Sequence, residues 1–333
     1  MSRFQVVSGK GGTGKSTVAA ALALALATEG KRTLLVEVEG RQGIAQLFET
    51  ESLPYEERKI AVAPGGGEVY ALAIDPELAL LDYLQMFYKL GGAGRALKKL
   101  GAIDFATTVA PGLRDVLLTG KACEAVRRKD KRGRFAYDHV VMDAPPTGRI
   151  TRFLNVNDEV AGLAKIGPIH NQAQAVMRVL KSPETAVHLV TLLEEMPVQE
   201  TADGIGELRA ARLPVGRIIV NMVRPELLDD DALDLVRGHG HGKVPRTAIA
   251  KSLSAAGLGG ARKGGNAQKL VDPLLAQAGE YAERHALEQA QRAVLMDLGL
   301  PLRELPLLTE GMDLAGLYRL AKELRKQGVQ GVS

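Results

Sequence analysis

Residues 9–16 read Gly9-Lys10-Gly11-Gly12-Thr13-Gly14-Lys15-Ser16, the pattern G-x-x-x-x-G-K-[ST]. A glycine-rich backbone can turn several successive N–H groups onto one point, and an anion is what such a point attracts. Lys15 would meet the β- and γ-phosphates of a bound nucleotide, and the Ser16 hydroxyl suits a magnesium ion. Gly9, Gly11, Gly12, Thr13, Gly14, Lys15, Ser16 and Thr17 are therefore the expected phosphate-binding stretch. A second group with matching chemistry is Asp143, which closes the apolar run His139 to Asp143. A carboxylate at the end of a buried strand can hold magnesium, usually through water.

These groups need a strand before the loop, a helix after it, and a sheet that brings Asp143 alongside. Apolar runs that read as buried strands recur at Phe4 to Ser8, Thr33 to Val38, Val69 to Ile74, His139 to Asp143, Val187 to Leu192 and Arg217 to Asn221. Longer helix-like stretches separate them, which predicts a doubly wound α/β fold with a mostly parallel sheet. Mostly helical inserts occupy approximately residues 76–134, 155–183 and 224–300 of a single domain, 1–333. The patches 238–242 and 257–266 are glycine-rich and read as loops. His239 and His241 in the first patch lack a third ligand nearby, so a solvated loop is preferred to a metal site.

Composition narrows the class. Of 333 residues, 46% are apolar and 25% charged, with a formal net charge of +4, which suits a folded soluble protein and gives no reason to expect nucleic acid. The basic run Arg127 to Arg134 has too few aromatics to suggest otherwise. The one cysteine, Cys123, excludes an intrachain disulfide and an all-cysteine metal site within one subunit. The apolar stretch Val18 to Ala27 is half the length a bilayer needs, and Met1 to Ser8 does not read as a secretion leader. A cytoplasmic protein is expected, held at a membrane only peripherally and through a partner.

The lysine at position 10 makes the loop resemble the deviant Walker A motif, G-K-G-G-x-G-K-[ST], of the arsenite-pump and tail-anchored-protein-targeting ATPases and their relatives. In that group the early lysine reaches across a two-fold interface to the partner's phosphates, so the resemblance implies a role in trans for Lys10; the plain alternative is a surface lysine at the loop mouth. Asp143-Ala144-Pro145-Pro146-Thr147-Gly148 followed by Arg152-Phe153-Leu154 resembles the family's switch II segment, D-T-A-P-T-G-H-T-L-R-[LF]-L, with Ala144 and Arg149 among the residues departing from it. Gly148 would let an amide approach the γ-phosphate. Pro197, Glu200 and Thr201 resemble, with one residue fewer between proline and glutamate, a P-x-x-x-E-T helix start, and Ile218 to Asn221 the strand I-I-V-N. The Asn221 amide suits a purine edge. Leu305-Pro306-Leu307-Leu308 resembles a final loop whose proline side packs on adenine, which puts Pro306 and Leu307 at the base.

Where the family reads S-T-D-P-A-H, this chain reads Glu37-Val38-Glu39-Gly40-Arg41-Gln42. Glu39 takes the place of the aspartate that positions the attacking water, and its extra methylene predicts slow hydrolysis, since ~1 Å of displacement can lose roughly 10²-fold. Glu37 is the lesser substitute. No cysteine falls between Asn221 and Pro306, so the zinc clasp of the eukaryotic targeting factor is not expected. The resemblance implies ATP and Mg2+ as ligands. It also implies a homodimer, or a heterodimer with a paralogous ATPase, and a membrane-protein or other client. Two alternatives stay open: a weakly catalytic regulatory subunit of a paired complex, and a partitioning or positioning ATPase using the amphipathic helix Asp313 to Lys326 at a membrane surface.

Overall fold

Runs of Val, Ile and Leu without polar alternation form strands only where both faces are covered. The computed structural model, which describes residues 2–88, 112–163, 168–238, 244–258 and 267–329, shows this for β1 (Phe4–Gly9) and β5 (His139–Asp143), every residue of which is buried. With β2 (Arg32–Glu37), β3 (Arg58–Val62), β4 (Glu68–Ala73), β6 (Thr185–Thr191), β7 (Val215–Val223) and β8 (Leu302–Pro306) they make one eight-stranded sheet in the order β3-β4-β2-β5-β1-β6-β7-β8. All neighbours are parallel except β3 against β4. The doubly wound α/β fold is thus observed, with β1 central and the chain departing to β2 on one side and later to β6 on the other.

Two strands were not anticipated. β3 is an antiparallel edge strand without a fully buried residue, and β8, the opposite edge, carries Arg303 and Glu304 between its apolar residues. The expected loop at Leu305 and Pro306 is therefore the end of a strand. An edge strand needs cover on fewer sides, so it loses the apolar run that reveals its buried neighbours.

Helix α1 (Lys15–Leu26) leaves the glycine loop and is buried continuously from Val18 to Leu26. Helices α2 (Gly43–Leu47), α3 (Pro76–Tyr88), α4 (Leu113–Arg127), α5 (Thr147–Leu163), α6 (Pro168–Leu180) and α7 (Glu195–Ala210) follow in order. Residues 1–223 with 298–333 form one compact unit, and residues 224–297 a second. The second unit contains α8 (Asp230–Arg237), α9 (Arg246–Ala255) and α10 (Gln268–Asp297). Within it Leu233 packs on Tyr281 and Ala282, and Asp229 caps α8 by accepting from Ala232 N–H at 2.9 Å. His239, His241 and residues 259–266 lie outside the described residues.

The last helix, α11 (Leu314–Lys326), buries Leu317, Leu320, Ala321 and Leu324 in the same cluster as α1. Its apolar face is thus spent on the core, as the amphipathic pattern of a surface helix ordinarily is. Among the described residues no helix is long and apolar enough to cross a membrane.

Candidate functional site

The C-terminal ends of β1, β2 and β5 converge, and the groups singled out by the motif meet there. β1 ends in Gly9, where a Cβ would lie 2.4 Å from the Val190 carbonyl oxygen of β6, so only glycine lets the two strands close up. The loop then turns through Gly12 (φ 89°) and Gly14 (φ 80°), left-handed conformations that glycine adopts without strain. Thr13 folds back, its N–H and hydroxyl both donating to the Lys10 carbonyl at 3.2 and 2.8 Å. Lys15 and Ser16 open α1, and Thr17 lies half-buried in its first turn.

Ser16 Oγ donates to Asp143 Oδ2 at 2.6 Å, joining helix to strand at the place a magnesium ion would need both. Lys15 Nζ lies 3.0 Å from Glu39 Oε2 and 3.5 Å from Asp143 Oδ1. Four groups drawn from three separate stretches of the sequence are thus one cluster. Burial pushes the Asp143 carboxyl above the usual range, against Lys15 and Ser16, which pull it down. Burial likewise raises Glu37, against the backbone amides of residues 42–44.

The segment carrying Glu39 is pinned on both flanks. Glu37 Oε1 accepts from Gly43 N–H at 3.1 Å, and the Gln42 side chain pairs with the Leu53 backbone, accepting its N–H at 2.7 Å and donating to its carbonyl at 3.2 Å. The segment after Asp143 is anchored at its start, where Ala144 N–H donates to Val7 O and Ser8 Oγ donates to Pro145 O at 2.6 Å. Gly148 is exposed at the start of α5, with nothing within 4 Å of a Cβ built on it. A ligand can therefore approach its backbone closely.

On the other side of the loop Asn221 Nδ2 donates to the Thr13 carbonyl at 2.9 Å. The residue expected at the base thus also buttresses the phosphate loop, and its Nδ2 would stand 2.4 Å from a Cβ on Gly14. Next to it Met222 has a positive φ of 56° and is 40% exposed. Leu307 N–H donates to Val223 O at 2.8 Å, which sets Pro306 and the exposed Leu307 beside that strand end. Sequence reasoning passed over Met222. A positive φ on a non-glycine residue leaves no mark in the sequence, and it often accompanies function.

Lys10 extends from the loop to Glu200 on α7, Nζ to Oε1 2.7 Å, both side chains about a third exposed. It is thus held within its own chain, by the glutamate of the segment Pro197 to Thr201. Cys123 is fully buried and its thiol is pushed up to about 12 by burial, so it offers no thiolate. Among the described residues no group of three or more His, Cys, Asp or Glu could hold a metal ion unaided. Magnesium needs no such group, because it commonly takes one or two carboxylates and completes its shell with phosphate oxygens and water. The Ser16 hydroxyl, the Asp143 carboxylate and an Asp143 Oδ1 that is buried without a hydrogen bond fit that demand.

Residues 2–183 match the model of a family described as anion-transporting ATPase. ATPase BagA of Mycobacterium tuberculosis strain H37Rv is 51% identical over 332 residues, spanning 98% of this chain and 94% of that protein. ATPase GET3 of Eremothecium gossypii is 26% identical, over 65% of this chain and 70% of that protein. An arsenical pump-driving ATPase of Escherichia coli is also 26% identical, over 66% of this chain and 39% of its own length.

Proposed function

The chain belongs to the anion-transporting ATPase family, and from that premise we propose that it is a Mg-ATP-dependent ATPase working as a dimer, whose nucleotide state opens and closes the pair and so acts on a client or membrane partner. The cluster of Lys15, Glu39, Asp143 and Ser16 carries this reading. Lys15 is paired with two carboxylates. The β- and γ-phosphates of ATP outbid them, since several phosphate oxygens meet both the lysine and the loop amides. Lys15 then leaves Glu39, and the same event that neutralises the phosphate frees the carboxylate to orient water at the γ-phosphorus. Ser16 and Asp143 would hold the magnesium ion, whose chemistry is to neutralise charge on the β- and γ-phosphates.

Asn221, Met222, Pro306 and Leu307 form the side of the site where an adenine would rest, and Gly148 the side that senses the γ-phosphate. Lys10 would reach the partner's phosphates once its pair with Glu200 opens, making catalysis depend on two subunits. Hydrolysis is slow in this reading because Glu39 stands in place of an aspartate. A weakly catalytic subunit paired with a more active paralogue rests on the same residue.

Titration with ATP and GTP in the presence of Mg2+ tests the assignment. ATP should bind more tightly than GTP, and Lys15→Ala should remove most of the affinity. Equal affinities would sink the adenine side, and an unchanged Lys15→Ala variant the phosphate loop.

A further inference from the structure

Glu37 reads from sequence as a poorer version of Glu39, yet its surroundings differ from those of a water-orienting group. Glu37, 2% exposed, and Asp143, 6% exposed, are the two buried carboxylates among the described residues. They are also neighbours. Glu37 is the register partner of Asp143 across the β2–β5 ladder, so their side chains leave the same face of the sheet at the same level. Placing the two buried carboxylates side by side is costly, and a fold tolerates it where a cation is expected between them.

Each carboxylate has one oxygen satisfied and one not. Gly43 N–H takes Oε1 of Glu37 at 3.1 Å, and Ser16 Oγ takes Oδ2 of Asp143 at 2.6 Å. Glu37 Oε2 and Asp143 Oδ1 are buried without a hydrogen-bond partner. Positive charge reaches Asp143 Oδ1 from Lys15 Nζ at 3.5 Å. In the proposed function Lys15 is the group that nucleotide draws away, so ATP binding would leave two buried, unpartnered carboxylate oxygens on residues paired in register, beside the Ser16 hydroxyl that Asp143 already holds. Two carboxylate oxygens and a hydroxyl make a hard, all-oxygen set, with positions left for phosphate and water, which is what magnesium prefers.

We propose that Glu37 is a second carboxylate of the divalent-cation site, acting with Asp143 and Ser16 to set how tightly Mg2+ is held with the nucleotide. The motif that this segment resembles has serine at this position, so the carboxylate departs from that motif. The inference rests on the nucleotide reading above, and the test separates the two. Mn2+ binding is measured by electron paramagnetic resonance with a non-hydrolysable ATP analogue present, and analogue affinity is measured separately in EDTA. Glu37→Gln keeps an oxygen for the Gly43 amide and removes only the charge. Its Mn2+ affinity should fall roughly 10- to 100-fold, the usual loss when a supporting carboxylate goes, with metal-free analogue affinity unchanged. Glu37→Ser, the family's own residue, should show the same loss, and Glu37→Asp should recover most of it. Mn2+ affinity within about twofold of the parent in both Glu37→Gln and Glu37→Ser would overturn the inference while leaving the nucleotide site standing. Failure of the unaltered protein to bind the analogue at all would overturn both.

Discussion

Replacing Gly14 by alanine tests whether the shape of the phosphate loop, rather than its charge, holds the nucleotide. The added Cβ would stand 2.4 Å from Asn221 Nδ2 and 3.3 Å from Met222 Cε, at a φ of +80°. A left-handed backbone costs an alanine about 1–2 kcal/mol. Ordinary contact begins near 3.4 Å, so the asparagine must withdraw by about 1 Å, breaking its 2.9 Å bond to the Thr13 carbonyl. Losing a buried hydrogen bond of this kind costs about 1–3 kcal/mol. The sum, about 2–5 kcal/mol, falls on the loop and not on the sheet, so it should appear as lost affinity. At 1.4 kcal/mol per decade, Mg-ATP binding should weaken roughly 30- to 3,000-fold while the melting temperature moves little. Calorimetric titration gives the affinity. Asn221→Ala alone should lose only the hydrogen-bond share, and the double variant should bind better than Gly14→Ala alone, because the clash has been removed. Gly14→Ala binding within about threefold of the parent would refute the reasoning, as would strictly additive losses.

Glu39→Gln should lower kcat at least tenfold with ATP affinity nearly unchanged, since orienting water matters in the transition state; equal losses in both would instead make it a binding residue. Lys10→Ala and Lys15→Ala subunits, each inactive, should regain part of the turnover when mixed, because one composite site would pair intact Lys15 with intact Lys10; no recovery in verified mixed dimers would count against the trans role. Stability should fall as pH drops from 7 to 5. Burial lowers His188 to about 3 and His139 to about 4 from 6.5, so both stay neutral in the folded protein while the unfolded chain takes up protons below 6.5. The two together should remove about 4 kcal/mol at pH 5. Urea midpoints at the two pH values measure this, and a slope as steep in His188→Gln as in the parent would contradict the assignment to His188.

What was legible in the sequence was whatever is contiguous. The loop from Gly9 to Ser16 carries its own pattern, and Asp143 announces itself by ending an apolar run. Their meeting at 2.6 Å follows from β5 lying beside β1, which a parallel order makes possible and no local pattern states. The edge strands were missed because one covered face gives no continuous apolar run. The register pairing of Glu37 with Asp143 was not legible because the two lie 106 positions apart, and its open oxygen is a property of packing. The pairing of Lys10 with Glu200 was hidden for the same reason, although both residues had been noticed separately. Asn221 was assigned to the base, while the geometry also gives it the Thr13 carbonyl to hold.

Helix α1 has consequences beyond the core it fills. From Val18 to Ala27 every residue is essentially sealed from solvent, between the sheet and α11, so Lys15 and Ser16 stand on a post that cannot tilt without opening the interior. Under the proposed function, motion driven by the nucleotide would fall to the segments outside this post, namely residues 38–43, held at their ends through Glu37 and Gln42, and 145–149, held at their start by Ser8. On that proposal the protein would act as a vice with one fixed jaw: the phosphates would be clamped against the face that α1 holds, and the displacement delivered to the side where those two segments run.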